Sequence, residues 1–372
     1  MNHELKKLLI DGRMVSAIPH GFARYVSRLA DGLRMIREQS GGLAYDPIFI
    51  VNASTDSRAF HEFRTVEIGS SFLSFKELFE IPHILKKEKA AAYHSPTFSS
   101  LLWAPCPWMV TVHDLNHLTY GGIKERIYYQ SVLRSFATRA ARLLTVSEFS
   151  RQQISFWLSV PEARIEVAPN ALSSEFFVRP SFERISAVLR DFGLNAGKYF
   201  FCLSNPKPHK NVPFLIQAHE QARRGRKRGE EELWPLVISM RNMVVSETPG
   251  VIELGHLSEE QAHCLMFGAG ALVFPSLYEG FGLPPVEAAS IGIPILISDI
   301  TPHREALRDL GADEALWADP RDLSAWAQAL VEAQQRPCKL TPESMERVRT
   351  RYSVANLGRL MDRIYRDVLE TK

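Results

Sequence analysis

The sequence predicts an α/β fold made of two Rossmann-like domains, each built around a parallel sheet, that face each other across a cleft. Short apolar segments alternate with helical patterns along nearly all of the 372 residues. This alternation is typical of parallel strands joined by right-handed helical crossovers. A chain of this length also exceeds what one ordinary hydrophobic core accommodates, so two domains are the natural expectation.

The first half of the chain contains the first set of alternating elements. Its predicted strands are residues 8–10, 47–51, 91–94, 108–113, 143–146 and 165–167. Helices are predicted over residues 22–36 and 125–142. A polar stretch, residues 173–175, precedes Pro180, where we place the end of the first domain, residues 1–180.

The second half repeats the pattern and forms the second predicted domain, residues 181–372. Its predicted strands are residues 199–203, 236–239, 251–254, 271–274 and 295–298. The predicted helices between and after them are residues 212–223, 259–267, 285–291 and 323–334. The last helix, residues 354–370, is assigned to this domain, and its return onto the first domain is left open as an alternative.

Composition excludes several classes of protein. The chain is 45% hydrophobic and 23% charged, which is typical of a globular protein. The N-terminal segment reaches Asp11 before a long apolar run forms, so we expect no signal peptide. Apolar runs such as residues 293–297 are far shorter than the roughly 20 residues that span a bilayer. The four cysteines lie far apart without a CxxC pair, which indicates neither a disulfide framework nor a zinc site and favours a cytoplasmic protein.

Charge is distributed unevenly along the chain although the net charge is only +2. Residues 1–180 carry a small excess of Lys and Arg, and residues 181–372 a small excess of Asp and Glu. The excess of Lys and Arg in the first half is explained by a solvated surface. Peripheral contact of this half with the anionic inner face of the cell membrane is left open as an alternative. The basic run 223–228 precedes three glutamates and lacks interleaved aromatic residues, so no nucleic-acid partner is expected.

The segment with the most chemical information runs from Ala271 to Ala289. It begins as a buried strand and ends as a helix, with Gly280 and Gly282 in the turn between them. Glycines allow the backbone to approach a ligand closely, and the N-terminus of a helix attracts anions. Two carboxylates, Glu279 before the loop and Glu287 in the predicted first helical turn, flank this anion site.

A second segment, residues 204–212, follows the first predicted strand of the second domain and reads SNPKPHKNV. Lys210 stands at the predicted strand-to-helix turn, where an ammonium group would neutralise a diphosphate leaving group. The sequence contains neither a phosphate-binding P-loop nor a complete GxGxxG fingerprint, which weakens kinase and dehydrogenase interpretations. It also lacks an Asp-x-Asp metal motif, so we expect a metal-independent reaction without a cofactor.

The spacing of Glu279 and Glu287 resembles the E-x7-E signature of glycosyltransferase family 4, whose members are retaining enzymes with the GT-B fold. The resemblance covers nearly the whole chain. It implies that Glu279 borders the donor sugar and that Glu287 binds the ribose of a nucleotide sugar. The loop between them would contact the sugar and the diphosphate through Gly280, Phe281, Gly282 and Leu283.

The segment around Lys210 resembles the family's P-R-K-N motif, which implies that Lys210 contacts the diphosphate. The sequence departs from the family in two places. His209 stands where an Arg is frequent, and Ser204 stands where some members have another Arg. We expect both residues to line the donor site, with Lys207 as a substitute cation.

Further resemblances lie in the first half. Residues 19–25, PHGFARY, resemble the family's G-I-G-R-Y motif, which places Gly21 against the donor phosphates. His113 and Asp114 end a predicted strand, at the sheet edge where ligands gather in open α/β sheets. The family match assigns His113 to the donor sugar's hydroxyl groups and Asp114 to the same site. The expected catalytic residues are therefore His113, Lys210 and Glu279.

The resemblance to this family implies a retaining hexosyltransferase of surface polysaccharide assembly. The residues of these motifs are most similar to those of bacterial mannosyl- and rhamnosyl-type transferases. This similarity favours a GDP-sugar donor, with a UDP-sugar as runner-up. The expected acceptor is a saccharide or a lipid-linked saccharide. A nucleotide-sugar epimerase of similar build and a non-catalytic scaffold with the same fold remain open as alternatives.

Overall fold

The computed structural model describes residues 5–16, 21–239 and 248–370. The chain divides into two compact units. The first comprises residues up to 173 together with those from 352 onward, and the second comprises residues 174–351. Each unit contains its own parallel sheet, which confirms the predicted fold class of two parallel α/β domains.

The sheet of the first unit has seven strands in the order β3-β2-β1-β4-β5-β6-β7. The strands are β1 Lys6–Asp11, β2 Tyr45–Val51, β3 Arg64–Glu67, β4 Ala92–Ser95, β5 Trp108–Thr111, β6 Arg142–Thr145 and β7 Ile165–Val167. All neighbours run parallel, and in the interior strand β1 Leu9 pairs with Ile48 on one side and Tyr93 on the other. These three side chains are fully buried, so the core lies around β1.

Helices connect these strands and cover the sheet. They are α1 Gly21–Ser40, α2 Glu77–Lys87, α3 Asn116–Thr119, α4 Ile123–Tyr128, α5 Arg134–Phe136 and α6 Glu148–Leu158. A π-helical stretch, Tyr129–Leu133, joins α4 to α5, so the chain is helical without a break over residues 123–136, close to the predicted helix over residues 125–142. The predicted end is too late, because Arg142 belongs to β6. The segment buries Tyr129 and Leu133 in the core of the first unit.

The sheet of the second unit has six parallel strands in the order β10-β9-β8-β11-β12-β13. They are β8 Phe200–Cys202, β9 Leu236–Ile238, β10 Val251–Glu253, β11 Ala271–Phe274, β12 Ile295–Ser298 and β13 Leu316–Ala318. The helices of this unit are α7 Phe182–Asp191, α8 Val212–Arg224, α9 Glu259–Gly268, α10 Leu283–Ile291, α11 Thr301–Ala306, α12 Leu323–Gln335 and α13 Pro342–Arg351.

The boundaries of the two units differ from the predicted division at residue 180. The final helix, α14 Val354–Glu370, belongs to the first unit, and the second unit begins at residue 174. The reason is the apolar face of α14, whose buried residues recur at helical spacing: Val354, Leu357, Gly358, Met361, Ile364, Tyr365, Val368 and Leu369. This face packs against α1, and Leu172 donates a backbone hydrogen bond to Tyr352 where the chain re-enters the unit.

The contact between α1 and α14 requires glycine on both helices. A β-carbon on Gly358 would lie 2.5 Å from the carbonyl oxygen of Gly32, and one on Gly32 would lie 2.8 Å from the α-carbon of Gly358. Both obstacles are backbone atoms, so no side-chain rotation relieves the contact. The two helices therefore approach backbone to backbone at this position.

We expect Gly358→Ala to lower the free energy of unfolding of the first unit by about 1–3 kcal/mol, because the extra methyl group forces two packed helices apart. Chemical denaturation, followed by fluorescence, measures the change. Gly225→Ala is the matched control, since a β-carbon there meets only ordinary contacts at 3.4 Å and beyond. Equal stability of Gly358→Ala and the wild type would contradict the close helix contact.

Candidate active site

The predicted donor-site residues of the second unit lie on two adjacent loops. One loop follows β8 and contains Ser204 to Asn211, and the other follows β11 and contains Pro275 to Gly282. The two strands are neighbours in the sheet, with Ala271 paired to Phe200. Because both strands run in the same direction, their loops emerge side by side at the carboxyl edge of the sheet, where open α/β sheets bind ligands.

Lys210 and Glu279 meet where these loops adjoin. The Nζ atom of Lys210 lies 2.6 Å from Oε1 of Glu279, and the side chains are only 15% and 11% exposed. Lys210 also lies over the ring of Phe274, with Nζ 5.3 Å from the ring centroid. The two residues that the sequence analysis assigned to the diphosphate and to the sugar therefore form a direct ion pair.

The ion pair sets the charge state of Glu279. Burial is the largest influence and by itself raises the pKa of this carboxyl group. Attraction to the Lys210 ammonium and the hydrogen bonds from Lys210 and Ser276 together outweigh burial, so the pKa lies below its ordinary value. Glu279 is therefore a carboxylate at neutral pH in spite of its burial.

Asn211 fixes the backbone that carries Lys210. Its φ of +56° is in the left-handed region, which Asn tolerates better than most residues. The side-chain amide donates to the carbonyl of Pro275 at 3.2 Å and to that of Pro320 at 2.9 Å. Asn211 was quoted in the motif without a role, and the structure shows that it connects the Lys210 turn to the segments that follow β11 and β13.

The glycine loop ends at Gly282, which is the N-cap of α10 with a φ of +89°. A β-carbon on Gly282 would be strained by this φ and would also lie 2.9 Å from Cδ2 of His303. Gly280 and Phe281 are buried, and Leu283, half-buried, begins the helix. The loop therefore holds the N-terminus of a helix at the carboxyl edge of β11, as an anion site requires.

His303 is a residue of this region that the sequence analysis missed. It is fully buried on α11, and its Nδ1 atom donates to the carbonyl of Ser298 at 2.9 Å, which leaves the lone pair on Nε2. Burial lowers the pKa of His303 to about 4, so the ring is neutral at physiological pH. A single histidine after a strand has no distinctive spacing, and its position at the edge next to β11 was the only signal available.

Glu287 lies further along its helix than predicted. The helix begins at Leu283 rather than Pro285, because Gly282 adopts the left-handed conformation that starts it, so Glu287 is the fifth helical residue and not part of the first turn. The side chain is 7% exposed. Its predicted contact with the ribose stays a prediction.

The remaining predicted residues of this unit differ in their surroundings. His209 is buried, and its carbonyl accepts a hydrogen bond from Leu277 at 2.8 Å, so it joins the two loops. Lys207 is exposed, and its backbone amide donates to Asn205. The backbone amide of Ser204 donates to Ser239 at 3.0 Å. Lys207 therefore faces solvent, whereas the backbone of His209 links the two loops. The predicted contacts of these residues with the donor stay predictions.

In the first unit, His113 lies just beyond the end of β5 and packs against α1. Its ring meets those of Phe22 and Tyr25 edge-on, with centroids 4.9 and 4.7 Å apart. The Nε2 atom donates to the carbonyl of Pro96 at 3.0 Å, so Nδ1 carries the lone pair. Burial lowers the pKa of His113 to about 4, which makes it a neutral hydrogen-bonding group.

Two further predicted residues of this unit are Asp114, which follows His113 in the sequence, and Gly21, at the start of the helix against which His113 packs. Asp114 accepts hydrogen bonds from the backbone amide of Asn116 at 2.9 Å and from its side chain at 3.3 Å. Gly21 begins α1, where an added β-carbon would meet no atom within 4 Å. Two residues of its motif, Pro19 and His20, lie outside the described residues.

Among residues 5–16, 21–239 and 248–370, no group of three or more His, Cys, Asp or Glu side chains is arranged to hold a metal ion. Over the same ranges, no helix combines the length and apolar character that crossing a bilayer requires.

Comparison with known families matches both halves of the chain. Residues 19–176 match the profile of a family described as Glycosyltransferase Family 4. Residues 197–336 match that of a family described as Glycosyl transferases group 1. The two matches together cover most of the chain and include every residue assigned to the site above.

Individual relatives agree with these family matches. The O-antigen chain mannosyltransferase B of Escherichia coli is 29% identical over 346 residues, which are 85% of this chain and 87% of that protein. The O-antigen chain mannosyltransferase RfbU of Salmonella typhimurium is 27% identical over 61% of each chain. The crystal structure of HepE from Anabaena in complex with UDP-glucose superposes with a TM-score of 0.71 at 14% identity, over 97% of this chain and 99% of that one.

These findings confirm the predicted enzyme class, a hexosyltransferase, over the alternatives of an epimerase and a non-catalytic scaffold. The similarity to the solved structure at 14% identity supports the fold alone. The roles of single site residues stay predictions. Two family matches and two parallel α/β units with the predicted motifs at their sheet edges lead to one conclusion: the chain is a GT-B enzyme that belongs to glycosyltransferase family 4.

Proposed function

We propose that this enzyme transfers a mannose-type hexose from a GDP-sugar to a saccharide or lipid-linked saccharide acceptor during assembly of a surface polysaccharide. The proposal rests on the buried ion pair of Lys210 and Glu279, which lies beside the N-terminus of α10. Lys210 offers a positive charge to a diphosphate, and Glu279 offers a hydrogen-bond acceptor to the hydroxyl groups of a sugar. The choice of mannose and of polysaccharide assembly follows the two relatives, both named as O-antigen mannosyltransferases. Because the similar structure of HepE contains UDP-glucose, a UDP-sugar is the second candidate donor.

The proposed reaction retains the anomeric configuration and needs no metal ion or cofactor. The bond between the anomeric carbon and the phosphate oxygen breaks, and an acceptor hydroxyl oxygen bonds to the same face of that carbon. The acceptor proton passes to the departing diphosphate. Lys210, the backbone amides of the glycine loop and the positive end of α10 stabilise the charge that develops on the leaving group. His113, neutral and locked to Pro96, binds a sugar hydroxyl rather than transferring a proton.

Purified enzyme incubated with a panel of donors tests the proposal. We expect transfer from GDP-mannose, no transfer from UDP-glucose or UDP-galactose, and an axial product linkage that NMR identifies as α. Excess EDTA should leave the rate unchanged, because Lys210 and the helix dipole replace a metal ion. Transfer from a UDP-sugar alone, an inverted linkage, or activity that EDTA abolishes and manganese restores would each overturn the corresponding part of the proposal.

The two glutamates of the motif should affect different kinetic constants. Glu279 lies next to the cation that faces the breaking bond, so Glu279→Gln should lower kcat by about 100-fold or more, as loss of transition-state stabilisation does. Glu287→Gln should chiefly raise the KM for the donor, because a ribose contact is present in ground and transition state alike. Steady-state kinetics on both variants separates the effects. A kcat loss confined to Glu287→Gln would reverse the two assignments.

We also propose that the first unit contacts an anionic membrane, where a lipid-linked acceptor would reside. Four exposed apolar residues form what we call the apolar edge: Phe75, Phe79, Ile123 and Ile127. Their two segments lie side by side, because Phe72 and Tyr128 both pack against Phe98, with ring centroids 5.5 and 6.0 Å away. Exposed Lys76, Lys124 and Arg126 alternate with these apolar residues, and basic residues strengthen attachment to anionic headgroups.

Flotation with vesicles tests the membrane contact. The wild type should float with vesicles of phosphatidylglycerol and phosphatidylethanolamine at low salt. A Phe79→Ser and Ile127→Ser double variant should float several-fold less, because it removes apolar surface from the contact. Phe156→Ser is the control, since Phe156, on another helix, is more exposed than either Phe79 or Ile127. Equal flotation of all three proteins would exclude the apolar edge as the membrane contact.

A further inference from the structure

In the donor site, the carboxylate of Glu279 competes with a bound diphosphate for the ammonium group of Lys210. Lys210 is the cation expected to hold the diphosphate, yet its ammonium group already lies 2.6 Å from the carboxylate of Glu279. Both side chains are more than four-fifths buried, so water contributes little to keeping the charges apart. A diphosphate that binds to Lys210 must therefore share this ammonium group with a carboxylate of the same sign as its own charge.

The surrounding structure keeps the two side chains together. Asn211 holds the Lys210 turn through hydrogen bonds to Pro275 and Pro320. The carbonyl of His209 accepts a hydrogen bond from the backbone amide of Leu277, two residues before Glu279. The two loops are thus linked through both chain neighbours of Lys210, which keeps the backbones that carry the ion pair close together.

An intact nucleotide sugar and its spent product differ in how they meet this pair. The sugar has hydroxyl groups that donate hydrogen bonds to a carboxylate, so the donor can satisfy Glu279 while its diphosphate shares Lys210. The free nucleoside diphosphate has no such hydroxyl next to its terminal phosphate. It also carries an additional negative charge near neutral pH, because the second ionisation of a terminal phosphate has a pKa of about 6.

We propose, on the basis of the function proposed above, that Glu279 is a specificity-determining residue that makes the donor site prefer the intact nucleotide sugar over the free nucleoside diphosphate. Its carboxylate accepts the donor's hydroxyl groups and competes with the bare diphosphate for Lys210. The same competition accelerates release of the nucleoside diphosphate after transfer. Glu279 thus contributes to selectivity and to turnover through one contact.

Calorimetric titration of wild type and Glu279→Gln with GDP and with GDP-mannose tests this role. The amide keeps the shape of the side chain and removes its charge. We expect GDP to bind Glu279→Gln about tenfold more tightly than it binds the wild type, a change of about 1.4 kcal/mol in binding free energy. GDP-mannose should bind with unchanged or lower affinity, since it loses a hydrogen-bond acceptor, so the preference for the donor falls.

Two further variants locate the effect in the ion pair. In a Lys210→Gln background, adding Glu279→Gln should tighten GDP binding far less than it does in the wild type, because no ammonium group remains to compete for. The double variant also serves as the folding control, since it leaves no unpaired buried charge. Glu287→Gln is the matched carboxylate control and should weaken GDP and GDP-mannose to a similar extent.

The outcomes distinguish this role from the proposed function. Unchanged or weaker GDP binding by Glu279→Gln would overturn the selectivity role, while transfer from GDP-mannose by the wild type would leave the function standing. An equal gain in the presence and absence of Lys210 would also overturn it, because the effect would then not pass through the ion pair. If the wild type binds UDP and UDP-glucose instead of the guanine nucleotides, the same titrations use that pair.

Discussion

Parallel pairing of every strand is the constraint on which the candidate site depends. In a parallel sheet each strand returns through a helix, so all loops that follow strands emerge at one edge and all the helices they lead into begin there. The chain uses this edge in the second unit for the Lys210 turn after β8 and for the glycine loop after β11. In the first unit it uses the same kind of edge for His113, two residues beyond the last pair of β5 with β6. Groups distant in sequence therefore become neighbours without any special local structure.

Charge at this edge is confined to few groups. The site of the second unit contains a buried ion pair, Lys210 with Glu279 at 2.6 Å, a second buried carboxyl group on Glu287, and a histidine whose pKa burial lowers to about 4. His113 and His94 of the first unit are likewise held neutral, with the pKa of His94 lowered to about 3 by burial. Neutral imidazoles supply hydrogen bonds without adding charge. Lys210 and Glu279 are therefore the paired charges of the donor site, with the buried carboxyl group of Glu287 as a further ionisable group.

The sequence sufficed for the fold and for the motifs because both are local patterns. Buried strands such as β1 and β11 are continuous apolar runs, which a single sequence displays. The strand β3 was missed because its side chains face solvent at the sheet edge, so it has no apolar run. The contact of Lys210 with Glu279, across 69 residues, and the position of His303 under Gly282 follow from the order of strands in the sheet, which no local pattern encodes. The same limit applies to α14, whose apolar face was visible but whose partner was not.

The return of α14 to the first unit has a consequence for how the protein is made. The second unit, residues 174–351, is one continuous stretch of chain, whereas the first unit lacks α14 until the whole of the second unit has been synthesised. Domains fold as units while the ribosome adds residues. The second unit can therefore close its core on the ribosome, while the apolar surface of α1 that faces Gly358 stays uncovered until α14 emerges. Of these two units, the one whose synthesis starts first is thus completed second.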